Sequence, residues 1–203
     1  FLKSHVFHCK RLFMKVCTLI TLDLSFLDSD VFLIGYYVLT VGASLLLIKD
    51  TKKRILDLKS GIGSIKYAPI AFGILVVYVL FVFEYVDQIP ILNWSWLGYN
   101  IAFGPFADQG MLGIIPFIPL LLYMFLHINY FEEFYFRKSK KMVLVWALIH
   151  IGMGIKIHMA LVLIPIGFVF KYIYDKKGIK HSYAMHFATN ILVVGMLFLS
   201  FVL

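Results

Sequence analysis

The sequence predicts an all-α protein, a polytopic transmembrane bundle of about six helices, and three observations carry that expectation. Of 203 residues, 62% are hydrophobic and only 15% are charged, with a mean hydropathy of +0.90. A soluble domain of this size needs far less apolar surface. Several stretches approach the ~20 apolar residues that a helix needs to cross a bilayer. Those stretches are continuous rather than alternating, which argues against a β-barrel.

In chain order, FLKSHVFHCKRLFMKV carries too many charges ahead of its apolar part for a signal peptide. Cys9 and Cys17 make neither a disulfide framework nor a CxxC metal site. Leu12–Leu27, interrupted by Lys15 and Asp23, reads as an interfacial helix or a seventh, weak span. The expected spans are Val31–Ile48, Tyr67–Val86, Met111–Phe136, Met142–Ile157, Met159–Tyr174 and Ser182–Leu203. The fourth and fifth are short, so a re-entrant or strongly coupled pair is the alternative there. Asn93, Trp94, Trp96, Tyr99 and Asn100 suggest an interfacial belt or a short helix lying on the membrane. With no internal repeat, the chain reads as one structural domain. Residues 1–110 supply two spans and an outer loop, and residues 111–203 supply a four-helix core.

Loop charges set the expected orientation. Basic residues gather in three connections: Lys49 to Lys66, Arg137 to Lys141, and Lys171 to Lys180. Basic loops stay in the cytoplasm, so alternate connections are assigned to that side. Asp23, Asp28, Asp30, Asp87 and Asp108 fall on the other, and only Lys156 breaks the pattern. The net charge of +8 thereby points to anionic lipid headgroups, and no nucleic-acid partner is expected.

Ionisable groups inside spans are costly and mark candidate sites. Here they are Glu84, His127, Glu132, Glu133, His150, His158 and His186, with Asn190 as a neutral companion. Measured from the basic boundaries at 1.5 Å per residue, Glu132 and Glu133 lie roughly 6–8 Å in, His150 about 13 Å, and His186 roughly 8 Å. Asn190 is one turn deeper. Three helices thus bring a carboxylate pair, a histidine and a histidine–amide pair to similar depth. Glu133 and Arg137 are i,i+4 and share a face, as do His186 and Asn190, while Glu132 is rotated by about 100°. Ser182 reads as the N-cap of the last helix, which sets His186 in its first turns. Taken singly, Glu133–Arg137 reads as a helix-end ion pair, and His186–Asn190 as helix–helix hydrogen-bonding glue. Glu84 and His127 read as packing or interfacial residues, and His158 belongs to an outer turn. Together, the four groups suit hydrolysis: a carboxylate beside a histidine takes a proton from water, and a histidine–amide pair steadies an oxyanion.

EEFYFR (Glu132–Arg137), WALIH (Trp146–His150) and HFATN (His186–Asn190) resemble, in order, the EExxxR, FxxxH and Hxxx(N/D) motifs of the CPBP intramembrane proteases, also called the Abi or CAAX-protease-and-bacteriocin-processing family. Trp146 replaces the usual phenylalanine. The resemblance covers roughly Met111 to Leu203. It implies an intramembrane endopeptidase in which Glu132 and His150 activate a water and His186 and Asn190 stabilise the oxyanion. Glu133 joins the catalytic set, with Arg137 and Trp146 supporting. A divalent metal such as zinc, on Glu132, His150 and His186, stays open beside a metal-free glutamate mechanism, because two histidines and a glutamate also form a catalytic zinc set. There is no HExxH and no GxSxG. The expected partners are membrane lipids and a peptide or lipidated-protein substrate. The expected location is a bacterial cell membrane, with the active site toward the cytoplasm. The alternative is a non-catalytic immunity or scaffold protein of the same family. A transporter is less favoured, since paired broken helices or repeats are absent from the sequence pattern.

Overall fold

The computed structural model describes residues 30–42, 50–97 and 100–200. Cys9, Cys17, the Leu12–Leu27 stretch, Tyr99 and the end of the first expected span lie outside the described residues. The chain falls into two compact units, Phe1–Tyr36 and Tyr37–Leu203. Of the first, residues 30–36 are described. They open helix α1 (Asp30–Tyr37), on which Phe32 and Tyr36 stack one turn apart.

The second unit is helical, and no strand occurs among the described residues. Its helices are α2 (Thr51–Gly61), α3 (Ala68–Phe81), α4 (Phe83–Asp87), α5 (Met111–Ile114), α6 (Ile118–Phe136), α7 (Lys140–Ile149), α8 (Ile157–Lys177) and α9 (Ile179–Ser200). Among the described residues, four helical stretches are long and apolar enough to cross a membrane: Thr51–Phe81, Met111–Phe136, Ile157–Lys177 and Ile179–Leu199.

Three expectations shift. The basic stretch before the second span is helix rather than loop. Asp50 caps α2 by accepting from the Lys53 amide at 2.9 Å, and a 3₁₀ turn over Ile62–Tyr67 leads on into α3. Lysine and arginine are good helix formers, and their charge reports exposure, not conformation. The expected fourth span is instead the ten-residue α7 followed by a 3₁₀ turn over His150–Met153. Gly154, at φ +89°, ends it in the left-handed region that favours glycine. Ten residues rise only about 15 Å. The aromatic segment, expected as an interfacial belt or a short helix, is irregular over residues 93–97.

Short connections fix the packing around α9. Gly178 alone turns the chain from α8 into α9, at φ +86°, with its amide bonded to the Tyr174 carbonyl at 2.8 Å. The core is built from Ala68, Ala71 and Leu75 of α3, Trp146 and Ala147 of α7, Val162, Ile166, Phe170 and Ile173 of α8, and Met185 of α9. Glycine permits the closest approach: a Cβ on Gly167 of α8 would meet Val143 Cγ1 at 2.8 Å and the Trp146 ring at 2.9 Å. This contact seats α7, and so His150, against α8.

Candidate functional site

The site grows from α6. Its last two turns carry Asn129, Glu132, Glu133 and, at the C-cap, Arg137. Residues four apart lie on one helix face, so Asn129, Glu133 and Arg137 form a polar stripe. That stripe faces α9, which runs antiparallel: Glu133 meets Ser182 and His186, and Asn129 meets Asn190.

Glu133 is the hub. Its Oε1 accepts from Arg137 Nε at 3.0 Å and from His186 Nδ1 at 2.9 Å, while Ser182 Oγ donates to its Oε2. Neither Glu133 nor Arg137 has any exposure. A buried carboxylate needs this many partners to offset its lost hydration. The guanidinium lies 4.0 Å over the Trp146 ring and 5.3 Å from that of Phe170. The arginine expected at the cytoplasmic edge is therefore fully enclosed, its charge met by one carboxylate and two aromatic faces. Lys171 Nζ donates to its carbonyl at 3.1 Å.

Glu132 turns the other way. Its Oε1 is 4.0 Å from His150 Nε2, and its Oε2 is 3.6 Å from His186 Nε2. Its side chain and that of His150 are each 12% exposed, a narrow opening in an otherwise closed cluster. His150 Nδ1 donates to the Trp146 carbonyl at 2.7 Å, which leaves Nε2 as an acceptor in the neutral ring. Two acceptors 4.0 Å apart make no direct hydrogen bond. That separation suits one water donating to both, and such a water is polarised toward attack. Aromatic rings hold the histidines: Phe170 stacks on His186 at 4.4 Å, and Trp146 meets His150 edge-on at 4.9 Å.

The structure thus gathers Glu132, Glu133, Arg137, Trp146, His150 and His186, with Asn190 one turn further along α9. Ser182 is not an N-cap. Helix α9 begins at Ile179, because Gly178 already supplies the turn, and the Ser182 hydroxyl is spent on Glu133 and lies 2.9 Å from the Phe170 carbonyl. Sequence reasoning missed that role and missed Asn129. The signal for Asn129 was its i,i+4 spacing to Glu133.

The candidate zinc ligands Glu132, His150 and His186 all lie in this cluster. Among the described residues, no three His, Cys, Asp or Glu side chains are arranged to hold one metal ion.

The remaining intramembrane candidates sit elsewhere. His127 is buried and shares a 3.2 Å hydrogen bond with Thr51. His158 is buried between Tyr78, whose hydroxyl is 2.8 Å from Nδ1, and Asp87, 3.1 Å from Nε2. Lys156, the exception to the expected charge pattern, pairs with Asp87 at 2.7 Å. The Lys156 ammonium, then burial and His158, act on the Asp87 carboxyl, and the net effect holds it below its ordinary value. The segment after α4 is tied to the turn bearing His150: Trp96 Nε1 donates to the Ile151 carbonyl at 3.0 Å and Ser95 Oγ to that of Gly154 at 2.6 Å.

Fold and site define a class: a helical protein with membrane-length helices enclosing a carboxylate–histidine cluster. No family model, no curated protein and no solved structure matches the chain.

Proposed function

We propose that the chain is an intramembrane endopeptidase of the CPBP type. It hydrolyses a peptide bond of a membrane-associated peptide or prenylated protein near the cytoplasmic face, within a bundle of about six helices in a bacterial cell membrane. The observation that carries this reading is Glu132 across 4.0 Å from the Nε2 of His150, whose ring is held by the Trp146 carbonyl.

The chemistry follows from those atoms. A water donates to Glu132 and His150. As its oxygen attacks the scissile carbonyl carbon, Glu132 takes a proton, acting as general base. The charge that develops on the carbonyl oxygen meets an Asn190 N–H and, when the ring carries both protons, His186 Nε2–H. Glu132 then returns the proton to the amide nitrogen, the C–N bond breaks to give a carboxylic acid and an amine, and the acid's proton passes to the amine, so that a carboxylate and an ammonium leave. Glu133, Arg137 and Ser182 hold His186 and Trp146 in place throughout. No step runs through a metal, and treatment with a chelator is expected to leave cleavage unchanged.

The test is Glu132→Gln, nearly isosteric, assayed with internally quenched peptides: one ending in a farnesylated Cys-aliphatic-aliphatic-X tail, one leader peptide and one signal peptide. Cleavage of one probe by the wild type, lost by about 10³-fold or more in the variant at an unchanged unfolding midpoint, supports the reading. Equal cleavage by the variant sinks it.

A further inference from the structure

We propose that Asn129 is a positioning residue for Asn190, setting which way the Asn190 amide faces; this rests on the peptidase reading above. Asn129 lies one turn before Glu133 on the face of α6 that meets α9. Its Oδ1 accepts from Asn190 Nδ2 at 3.0 Å. Asn129 is 2% exposed, whereas Asn190 is partly open. The first amide therefore stands behind the second, on the side away from an incoming chain.

An amide NH₂ is planar and carries two hydrogens. With one held by Asn129, the direction of the other is fixed, and that one is left for the carbonyl oxygen of a scissile bond. Without Asn129 the Asn190 amide is free to rotate by half a turn. Its Oδ1 would then face the developing oxyanion, replacing a donor with a repelling acceptor. Preorganised donors stabilise a transition state because they need no reorientation when charge appears.

A purely adhesive role accounts for less. The polar stripe stops at this pair, since the next positions along the two faces are Phe125 and Val194. Asn129 Nδ2 is also buried with no hydrogen-bond partner among the described residues, and a buried donor left unpaired is costly. Two apolar side chains would join the helices without that cost. What the asparagine supplies that they lack is a fixed acceptor for Asn190.

The experiment uses the full chain in detergent micelles and whichever quenched peptide the wild type cleaves. Asn129→Leu, close in shape, is expected to lower kcat by about 10²-fold with KM unchanged. Asn129→Asp keeps the acceptor oxygen and is expected to stay within about tenfold of wild type. In an Asn190→Leu background, Asn129→Leu is expected to cost nothing more, because it acts only through Asn190. Full activity in Asn129→Leu, or losses that multiply across the two sites, would overturn the proposal. If Asn129→Leu does not fold, Asn129→Ala takes its place with the same expected loss. Glu132→Gln separates the two levels. Cleavage that survives Glu132→Gln, or no cleavage by the wild type, overturns the peptidase reading and this inference together. Cleavage lost in Glu132→Gln but intact in Asn129→Leu overturns the inference alone.

Discussion

Glu133 and Arg137 form an ion pair, Oε1 to Nε 3.0 Å, in which neither side chain reaches solvent. The pair links the two halves of the site. Through its carboxylate it holds His186 and Ser182 of α9, and through its guanidinium it meets Trp146 of α7. Leaving one buried charge without its partner costs about 3–5 kcal/mol. Arg137→Leu is therefore expected to destabilise the protein by that amount, read as a lowered unfolding midpoint in detergent. The double variant Glu133→Gln/Arg137→Leu is expected to regain part of it, since no lone charge is left. A single variant as stable as the wild type would show that the charge is satisfied in another way.

Trp146 separates packing from hydrogen bonding. Its ring lies under the Arg137 guanidinium and edge-on to both histidines, but its Nε1 is buried with no hydrogen-bond partner among the described residues. Trp146→Phe keeps an aromatic face and discards that unpaired donor. It is expected to change stability by less than about 1.5 kcal/mol and to retain activity. Trp146→Ala removes the ring and is expected to cost about 3–5 kcal/mol. Equal losses in the two variants, measured by thermal unfolding, would mean that the indole itself is required.

Gly167 tests whether α7 must lie this close to α8. An added Cβ would stand 2.8 Å from Val143 Cγ1 and 2.9 Å from the Trp146 ring, closer than side chains tolerate. Gly167→Ala is expected to cost about 1–3 kcal/mol by overpacking. Because His150 follows directly on α7, a loss of cleavage rate larger than the loss of folded protein is expected too. A neutral outcome in both assays would mean that the helices part freely.

Asp87 sets an acid limb on stability. Its carboxyl is held below its ordinary value of 3.8, first by the Lys156 ammonium. A depressed folded value means that the unfolded chain binds the proton more readily. The contribution is thus fully present above about pH 4 and is lost as pH falls through the folded value. Asp87→Asn is expected to remove that part of the acid dependence in denaturation curves taken below pH 4. Identical acid limbs for the variant and the wild type would refute the linkage.

Much of this was legible in the sequence, for identifiable reasons. The span Met111–Phe136 announces itself because its apolar run reaches bilayer length, and the structure has helix there, whereas the fifth, short at Met159–Tyr174, is extended to Ile157–Lys177. The Glu133–Arg137 pair follows from i,i+4 spacing, which a helix enforces locally. Tertiary packing decided the rest. Helix α7 gives way after ten residues to a 3₁₀ turn that Gly154 ends in the left-handed region, and the apolar residues beyond it hid that stop. Ser182 resembled a cap because serine serves caps well, but Gly178 had already turned the chain, which freed the hydroxyl for a carboxylate from another helix. Asn129 carried only its i,i+4 spacing to Glu133. Its partner lies 61 positions away, and only the antiparallel register of α6 and α9 brings the two amides together. Sequence periodicity fixes which residues share a face of one helix. Which face meets which, and so that Glu133 meets Ser182 and His186 while Glu132 is left across from His150, depends on contacts between distant segments.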